Sequence, residues 1–189
     1  MSGDDHRLIR DCLQGQTNAF GELVQRYQDR LYNTVYRLLD NAEDARDVVQ
    51  DAFLSAYQSL DSFKGDSLFF TWLYRIAVNA AFSLKRKQRA TLSIYRGEEG
   101  GGHEPHDPSL TSQPDHALES ADEERRIQQA LNRLSPEHRV VLIMKDMEGQ
   151  KYDIMAEVLG VPIGTIRSRL HRARMELREI ILRDEDQGK

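Results

Sequence analysis

Cysteine is nearly missing from this chain of 189 residues: Cys12 stands alone. One thiol cannot close an internal disulfide, which excludes a stapled secreted scaffold and fits a reducing compartment. Cys12 lies in a helical pattern with no cluster of basic neighbours, so it reads as a half-buried helix residue and not as a redox group. Long apolar runs are missing too. No stretch approaches the roughly 20 residues that a membrane span needs, and residues 1–10 lack the basic-then-apolar pattern of a secretory leader. The expectation is a cytoplasmic protein without membrane insertion. Also lacking are a Gly-rich phosphate loop, clustered metal ligands and a nucleophile–base pair. No catalytic residue, metal or cofactor is expected, and the chain does not read as an enzyme.

Positive charge is in deficit overall, with a formal net charge of −5. Taken alone, that balance argues against a nucleic-acid partner. Its distribution argues otherwise. Lys64, Arg75, Lys85, Arg86, Lys87 and Arg89 face only Asp66 within residues 63–89, a local charge of +5. Arg167, Arg169, Arg172, Arg174 and Arg178 face only Glu176 within residues 163–178, a local charge of +4. Residues 98–124 hold nine acids and no Lys or Arg. Solvated helix faces account for either basic patch separately, but less readily for their coincidence with the patterns below.

Proline is absent from residues 1–89, and the apolar residues there recur at helical spacing. Leu23, Tyr27, Leu31 and Val35 form one stripe. Ala45, Val48, Val49, Ala52 and Ala56 form a second, and Leu73, Ile76, Ala77, Ala80 and Leu84 a third. Three or four amphipathic helices with short connections imply a compact first domain, residues 1–89. Residues 90–120 change character: Gly, Pro, Ser, His and acids without periodicity mark a flexible acidic linker. His103, His106 and His116 have no zinc-ligand spacing. Residues 121–189 form a second helical domain. Ser135-Pro136-Glu137 starts a helix, with Ser135 as N-cap and Pro136 at the first helical position. The apolar run 140–144 predicts that this helix is buried. The expected fold is therefore all-α: two small helical domains joined by a flexible linker.

The second domain ends in a helix from Tyr152 to Leu159, a turn at Gly160-Val161-Pro162, and a longer helix from Ile163 to about Leu182. This is the helix-turn-helix layout. Met155, Ala156 and Leu159 are expected to point inward, with Val161 in the turn. On the longer helix, Ile166, Leu170, Ala173 and Leu177 make one narrow core stripe. Opposite it lie Gly164, Ser168, His171, Arg172 and Met175, bordered by Thr165 and Arg167. The early turns of such a helix meet base edges, and flanking cations hold phosphates. Arg167, Ser168, His171 and Arg172 are the candidate base contacts. Arg169 and Arg174, nearer the core stripe, suit phosphates or nearby acids. Gly164 allows close approach of a phosphate to the helix N-terminus.

Three segments extend this reading. Residues 63–79 (FKGDSLFFTWLYRIAVN) closely resemble the promoter-melting region of bacterial sigma factors of the extracytoplasmic-function class. Residues 161–174 (VPIGTIRSRLHRAR) resemble the same family's upstream-element reader. Residues 42–53 (AEDARDVVQDAF) resemble its polymerase-clamp helix. The three occur in family order, and the resemblance covers most of the chain except roughly residues 90–118. The resemblance implies an alternative sigma factor, which gives RNA polymerase core its promoter specificity and promotes melting for a particular set of genes. Asp44, Asp47 and Asp51 form an acidic stripe, and the resemblance implies that they and Gln50 dock on the clamp coiled coil of the largest subunit. It also implies contact with the beta-subunit flap. Arg75, Asn79, Phe82 and Arg86 share one helix face, suited to unpaired DNA. By resemblance, Asn79 and the loop Ser62, Phe63, Lys64, Gly65, Asp66 and Ser67 form a pocket for a flipped base of the downstream element. Trp72 reads as a core or rim aromatic. Two departures stand out: Ile154 where the family usually has a second acid, and Pro162 where a capping Ser is common. The resemblance further implies an anti-sigma partner and a linker that crosses the polymerase active-site cleft, where its acids would mimic nucleic-acid charge. Read without the resemblance, an operator-binding regulator that acts without polymerase stays open, whereas an enzyme built on the first domain has nothing behind it beyond scattered acids.

Overall fold

The computed structural model describes residues 3–95 and 116–187, and side chains within 4–88 and 122–186. All the regular structure among them is helical. The first domain holds α1 (Gly3–Leu13), α2 (Thr17–Leu39), α3 (Ala42–Gln58) and α4 (Phe69–Tyr95), with a 3-10 turn at Leu60–Ser62. The second holds α5 (His116–Arg133), α6 (Pro136–Leu142), a π-helical turn at Ile143–Met147, α7 (Tyr152–Leu159) and α8 (Ile163–Gln187). Both α4 and α5 reach into the stretch expected to be linker. The acids from 98 to 115, with His103 and His106, lie outside the described residues, and so do the side chains of His116 and Glu119.

Local chemistry sets the helix ends. Asn41 Oδ1 accepts from the amides of Glu43 at 2.9 Å and Asp44 at 3.0 Å, which starts α3. Ser135 Oγ accepts from the His138 amide, as the Ser-Pro-Glu signal predicts. Asp40 closes α2 in the left-handed region at φ 54°, its amide donating to Tyr36 O at 2.7 Å. Cys12 is buried, which pushes its thiol pKa up and away from the reactive thiolate.

The expected stripes of α2 and α3 are buried, apart from a half-buried Tyr27. On α4, Leu73 and Ala77 are buried as expected, but Ile76, Ala80 and Leu84 only partly. A second buried line is Tyr74, Val78 and Ala81, each about 1 % exposed. These three sit one quarter-turn from the expected stripe, and the Tyr74 hydroxyl bonds Glu148 of the second domain at 3.2 Å. α4 is thus covered twice, by its own domain and by α7.

The two domains are docked. Glu148 Oε1 accepts hydrogen bonds from the hydroxyls of Tyr74 and Thr34. Arg139 is buried and reaches from α6 to the end of α2, donating Nη1 to Leu38 O at 2.8 Å. Its Nε and Nη2 donate to Leu131 O and Asn132 O at 2.8 and 2.7 Å. The guanidinium therefore serves carbonyls in the last turns of both α2 and α5, where the negative end of each dipole lies; Leu131 O also accepts from the Leu134 amide at 3.1 Å. Gln128 donates to Arg37 O at 3.1 Å, and Asn132 donates to Asp40. Replacing Arg139 with Met keeps much of its volume and removes the donor from the Leu38 and Asn132 carbonyls. The expected cost is about 3 kcal/mol, a fall of roughly 6–12 °C in Tm for a chain of this size. Thermal unfolding followed by circular dichroism measures it.

Candidate nucleic-acid and polymerase interfaces

The core stripe of α8 is where the sequence places it. Ile166 and Ala173 are fully buried, Leu170 nearly so and Leu177 partly, with Ile180 extending the line. On α7 the buried residues are Met155 and Val158; Ala156, Leu159 and Val161 pack only partly against the core. Val158 was not among the inward residues expected from spacing. It is buried because α7 is covered both by α8 and by α4. Ile154 also packs partly against the core, which accounts for an apolar residue at a position where an acid is common.

The outward face of α8 carries Gly164, Arg167, Ser168, His171, Arg172 and Met175, all exposed, with Thr165 and Arg169 half-exposed. Pro162 O accepts from the amides of Thr165 at 2.9 Å and Ile166 at 3.1 Å. Proline has no side-chain oxygen to cap the first amides of α8, and Gly164 has open space where a Cβ would stand. The helix start therefore offers free donors to an anion. Ser168 Oγ donates to Thr165 O at 3.0 Å, so its hydroxyl is turned back on the helix but keeps acceptor capacity. His171, Arg169 and Arg172 have no hydrogen bond or ion pair among the described residues.

Two arginines are already engaged. The Arg167 guanidinium lies 5.7 Å from the centroid of Tyr152, whose ring also takes Lys145 at 4.9 Å. Arg174 forms a fork with Asp146, Nε to Oδ2 at 3.0 Å and Nη2 to Oδ1 at 2.5 Å. The π-helical turn is what aims Asp146 at α8. That carboxylate occupies the donor fork of Arg174.

In the first domain, Arg75, Asn79 and Arg86 are exposed and Phe82 is half-buried, so the expected face of α4 is open to a strand. The loop from 62 to 67 is anchored from below. Phe63 packs against Phe69 and Trp72, with ring centroids 5.9 and 5.3 Å apart. Phe63 and Trp72 are thus half-buried anchors of the loop. Ser62 Oγ donates to Ser59 O at 2.6 Å. Lys64 and Asp66 are exposed, Ser67 is half-buried, and Gly65 takes φ +78°, a conformation that suits glycine.

On α3, Asp47, Gln50 and Asp51 are exposed, whereas Asp44 is half-buried and accepts from Gln88 Nε2 of α4 at 2.9 Å. The same face continues to Leu54 and Tyr57, exposed at 51 % and 43 %. Beside them a groove of about 820 Å³ opens between α2 and α3, lined by Phe20, Val24, Tyr32, Val49 and Phe53 among others, with Gln50 at its edge. Spacing from Asp47 and Gln50 was the available signal: Leu54 and Tyr57 are apolar yet lie off the core stripe. No group of side chains suited to hold a metal occurs among the described residues, and no described helix is long and apolar enough to cross a membrane.

A helix-turn-helix with a cationic outer face is thus tied to a helical domain with its own basic, partly aromatic face. Comparison with known proteins makes this specific. The Sigma-70 region 2 family profile matches residues 23–91, and the Sigma-70 region 4 profile matches residues 124–177. The chain is 35 % identical to the RNA polymerase sigma-H factor of Pseudomonas aeruginosa, over 90 % of each chain. It is 34 % identical to the ECF RNA polymerase sigma factor SigW of Bacillus subtilis, over 92 % of this chain and 94 % of that one. Among solved structures, the sigma factor RpoE of Bartonella quintana, in complex with the anti-sigma factor NepR, superposes with a TM-score of 0.67. That match has 28 % identity and covers 86 % of this chain and 96 % of the other. CnrH, in complex with the cytosolic domain of CnrY, gives a TM-score of 0.68 at 26 % identity, covering 96 % and 99 %. The chain belongs to the sigma-70 family of RNA polymerase sigma factors, in its extracytoplasmic-function class.

The Asp146–Arg174 fork makes a measurable prediction. Asp146→Asn removes the internal competitor for a phosphate, and an exposed ion pair of this kind contributes at most about 1 kcal/mol. Promoter affinity of the holoenzyme should rise by up to about fivefold, and log affinity should fall more steeply with log salt by about 0.9, one added phosphate contact. Filter binding across a salt series measures both.

Proposed function

We propose that this chain is an alternative sigma factor that binds RNA polymerase core, reads two promoter elements and promotes melting at a particular set of genes. One observation carries the reading: a single chain presents two separate DNA-suited faces, on α4 and on α8, and the region 2 and region 4 matches fall on those two helices and their surroundings. Arg167, Ser168, His171 and Arg172 read bases of the upstream element, while Gly164, Thr165, Arg169 and Arg174 serve its phosphates. Asn79 and the loop 62–67 hold a flipped base of the downstream element, with Arg75 and Arg86 along the strand. The factor supplies specificity and the polymerase supplies the chemistry, so no catalytic group belongs to this chain. Its place of action is the cytoplasm, where the polymerase works.

Asp44, Asp47, Gln50 and Asp51 form the rim of the polymerase-docking surface, and Leu54 with Tyr57 gives it an apolar centre. Rim charges set orientation and on-rate, and buried apolar side chains set residence time. The second domain takes the beta-subunit flap. Because the solved relative RpoE is held by the anti-sigma factor NepR, this chain too is assigned an anti-sigma partner. The groove between α2 and α3 suits an amphipathic helix of such a partner.

Docking of the two domains has a functional cost in this reading. A linker that crosses the polymerase cleft requires the domains to part, and the 20 residues from 96 to 115 extend to at most roughly 70 Å. Binding is therefore weakened by the fraction of chains that are closed. Glu148→Gln combined with Tyr74→Phe weakens the seam while nearly preserving volume. Energy transfer between labels at Asp61 and Glu157 should report a larger mean separation, and core polymerase should bind about 3–10-fold more tightly.

Run-off transcription with core polymerase tests the whole reading. A chain that neither binds core enzyme nor supports initiation from any promoter would falsify it. Stable operator binding without core enzyme would favour a simple helix-turn-helix regulator. Within the reading, Arg172→Ala should lower use of the preferred upstream element by roughly 5–100-fold relative to its variants. Asn79→Ala should instead change base preference at the downstream element. Equal loss on every promoter sequence for both would count against base readout.

A further inference from the structure

α1 precedes the stretch matched by the region 2 profile, which begins at residue 23. It is nonetheless fixed firmly in the first domain. Leu8, Ile9 and Cys12 are buried on its inner side. Arg26 of α2 donates Nη1 to Asp5 Oδ1 at 2.5 Å and Nη2 to Asp4. The Tyr27 hydroxyl donates to Asp5 Oδ2 at 2.6 Å. Asp5 is itself buried, so its carboxylate is held by charge-assisted and neutral donors together. Burial, with Asp5 accepting its proton, pushes Tyr27 up to about 12, so that donor persists at any physiological pH.

Held in this way, α1 runs beside the 3-10 turn that leads into the loop from 62 to 67. His6 comes close to the loop at Gly65. Its Cε1 lies 3.4 Å from where a Cβ on Gly65 would stand. His6 is exposed and Gly65 half-buried, so ring and loop meet at the surface of the domain.

We propose that His6 is a further specificity-determining residue for the downstream element, and that α1 supplies one wall of the site formed by the loop 62–67 and Asn79. The proposal rests on the assignment of that loop to the downstream element. Its chemistry suits an unpaired base. The imidazole offers a flat face for stacking and ring nitrogens for hydrogen bonds to a base edge. Asn79 and Ser67 offer hydrogen-bonding groups but no flat aromatic face, and the aromatic rings of Phe63 and Trp72 are occupied in anchoring the loop. Because α1 is tied down by Asp4 and Asp5, the ring is carried by a rigid element, which lets it discriminate between bases.

The test is transcription by reconstituted holoenzyme from promoters in which each position of the downstream element carries each base in turn. His6→Ala should change the ratio of the preferred base to the next by about threefold or more at one or two positions, the loss of a single hydrogen bond or stacking contact. The upstream-element profile, affinity for core polymerase and melting temperature should stay as in the wild type. His6→Asn, which keeps a planar hydrogen-bonding group, should restore part of the ratio. A downstream profile that superimposes on the wild type overturns the proposal. So does a uniform loss on all sequences, which marks His6 as a support for the loop. If the wild-type chain itself shows no downstream preference, the assignment of the loop fails first, and that is visible before any variant is made.

Discussion

The arrangement of this molecule depends on one buried cation. Arg139 sits where α2 and α5 both end, and its guanidinium answers carbonyls from each. Two helix termini from different domains converge on it with the negative ends of their dipoles, an unfavourable meeting without a cation between them. A lysine could not replace it, because the three acceptors need a planar fork of donors spread over one side chain. Glu148, Thr34 and Tyr74 make a second polar contact between the domains. Polar seams of this kind are specific in register but modest in net stabilisation, since each group gives up water to join. Such an interface holds the domains in one relation at modest strength.

Much of this was legible in the chain. The periodicity of α2, α3 and α8 placed their buried stripes, and the Ser135-Pro136-Glu137 signal placed the start of α6. The angular position of Arg172 and His171 on α8 placed them outward, and they are exposed. Periodicity failed on α4, where Tyr74, Val78 and Ala81 are buried on a second face. A single stripe is the signature of a helix with one neighbour, and nothing local tells that a second domain will cover another side. The roles of Asp146 and Glu148 were hidden for a related reason. Both are exposed-looking acids near a helix end, and only the π-helical turn aims one at Arg174 and lets the other reach the first domain. The contact of His6 with Gly65 joins residues 59 positions apart, beyond the reach of any local pattern.

The DNA-suited surfaces also differ in how they are prepared. On α8, some cations are held in advance: Arg167 by the Tyr152 ring and Arg174 by Asp146. Ordering a long side chain before binding lowers the entropy lost on binding, but an acid that orders it must then be displaced. Arg172 and His171 carry neither benefit nor burden among the described residues. The same helix thus mixes prearranged side chains with adaptable ones.

The double covering of α4 has a consequence for how such a chain can change. Two of its faces are committed to packing, and the strand-facing line of Arg75, Asn79, Phe82 and Arg86 is what remains. A substitution elsewhere on the helix risks one interface or the other. Exchange of side chains is therefore accommodated more readily at the exposed loop positions Lys64 and Asp66 than on the helix that the loop leads into. The helix is the constrained element of the pair, and those two positions are where the sequence can drift.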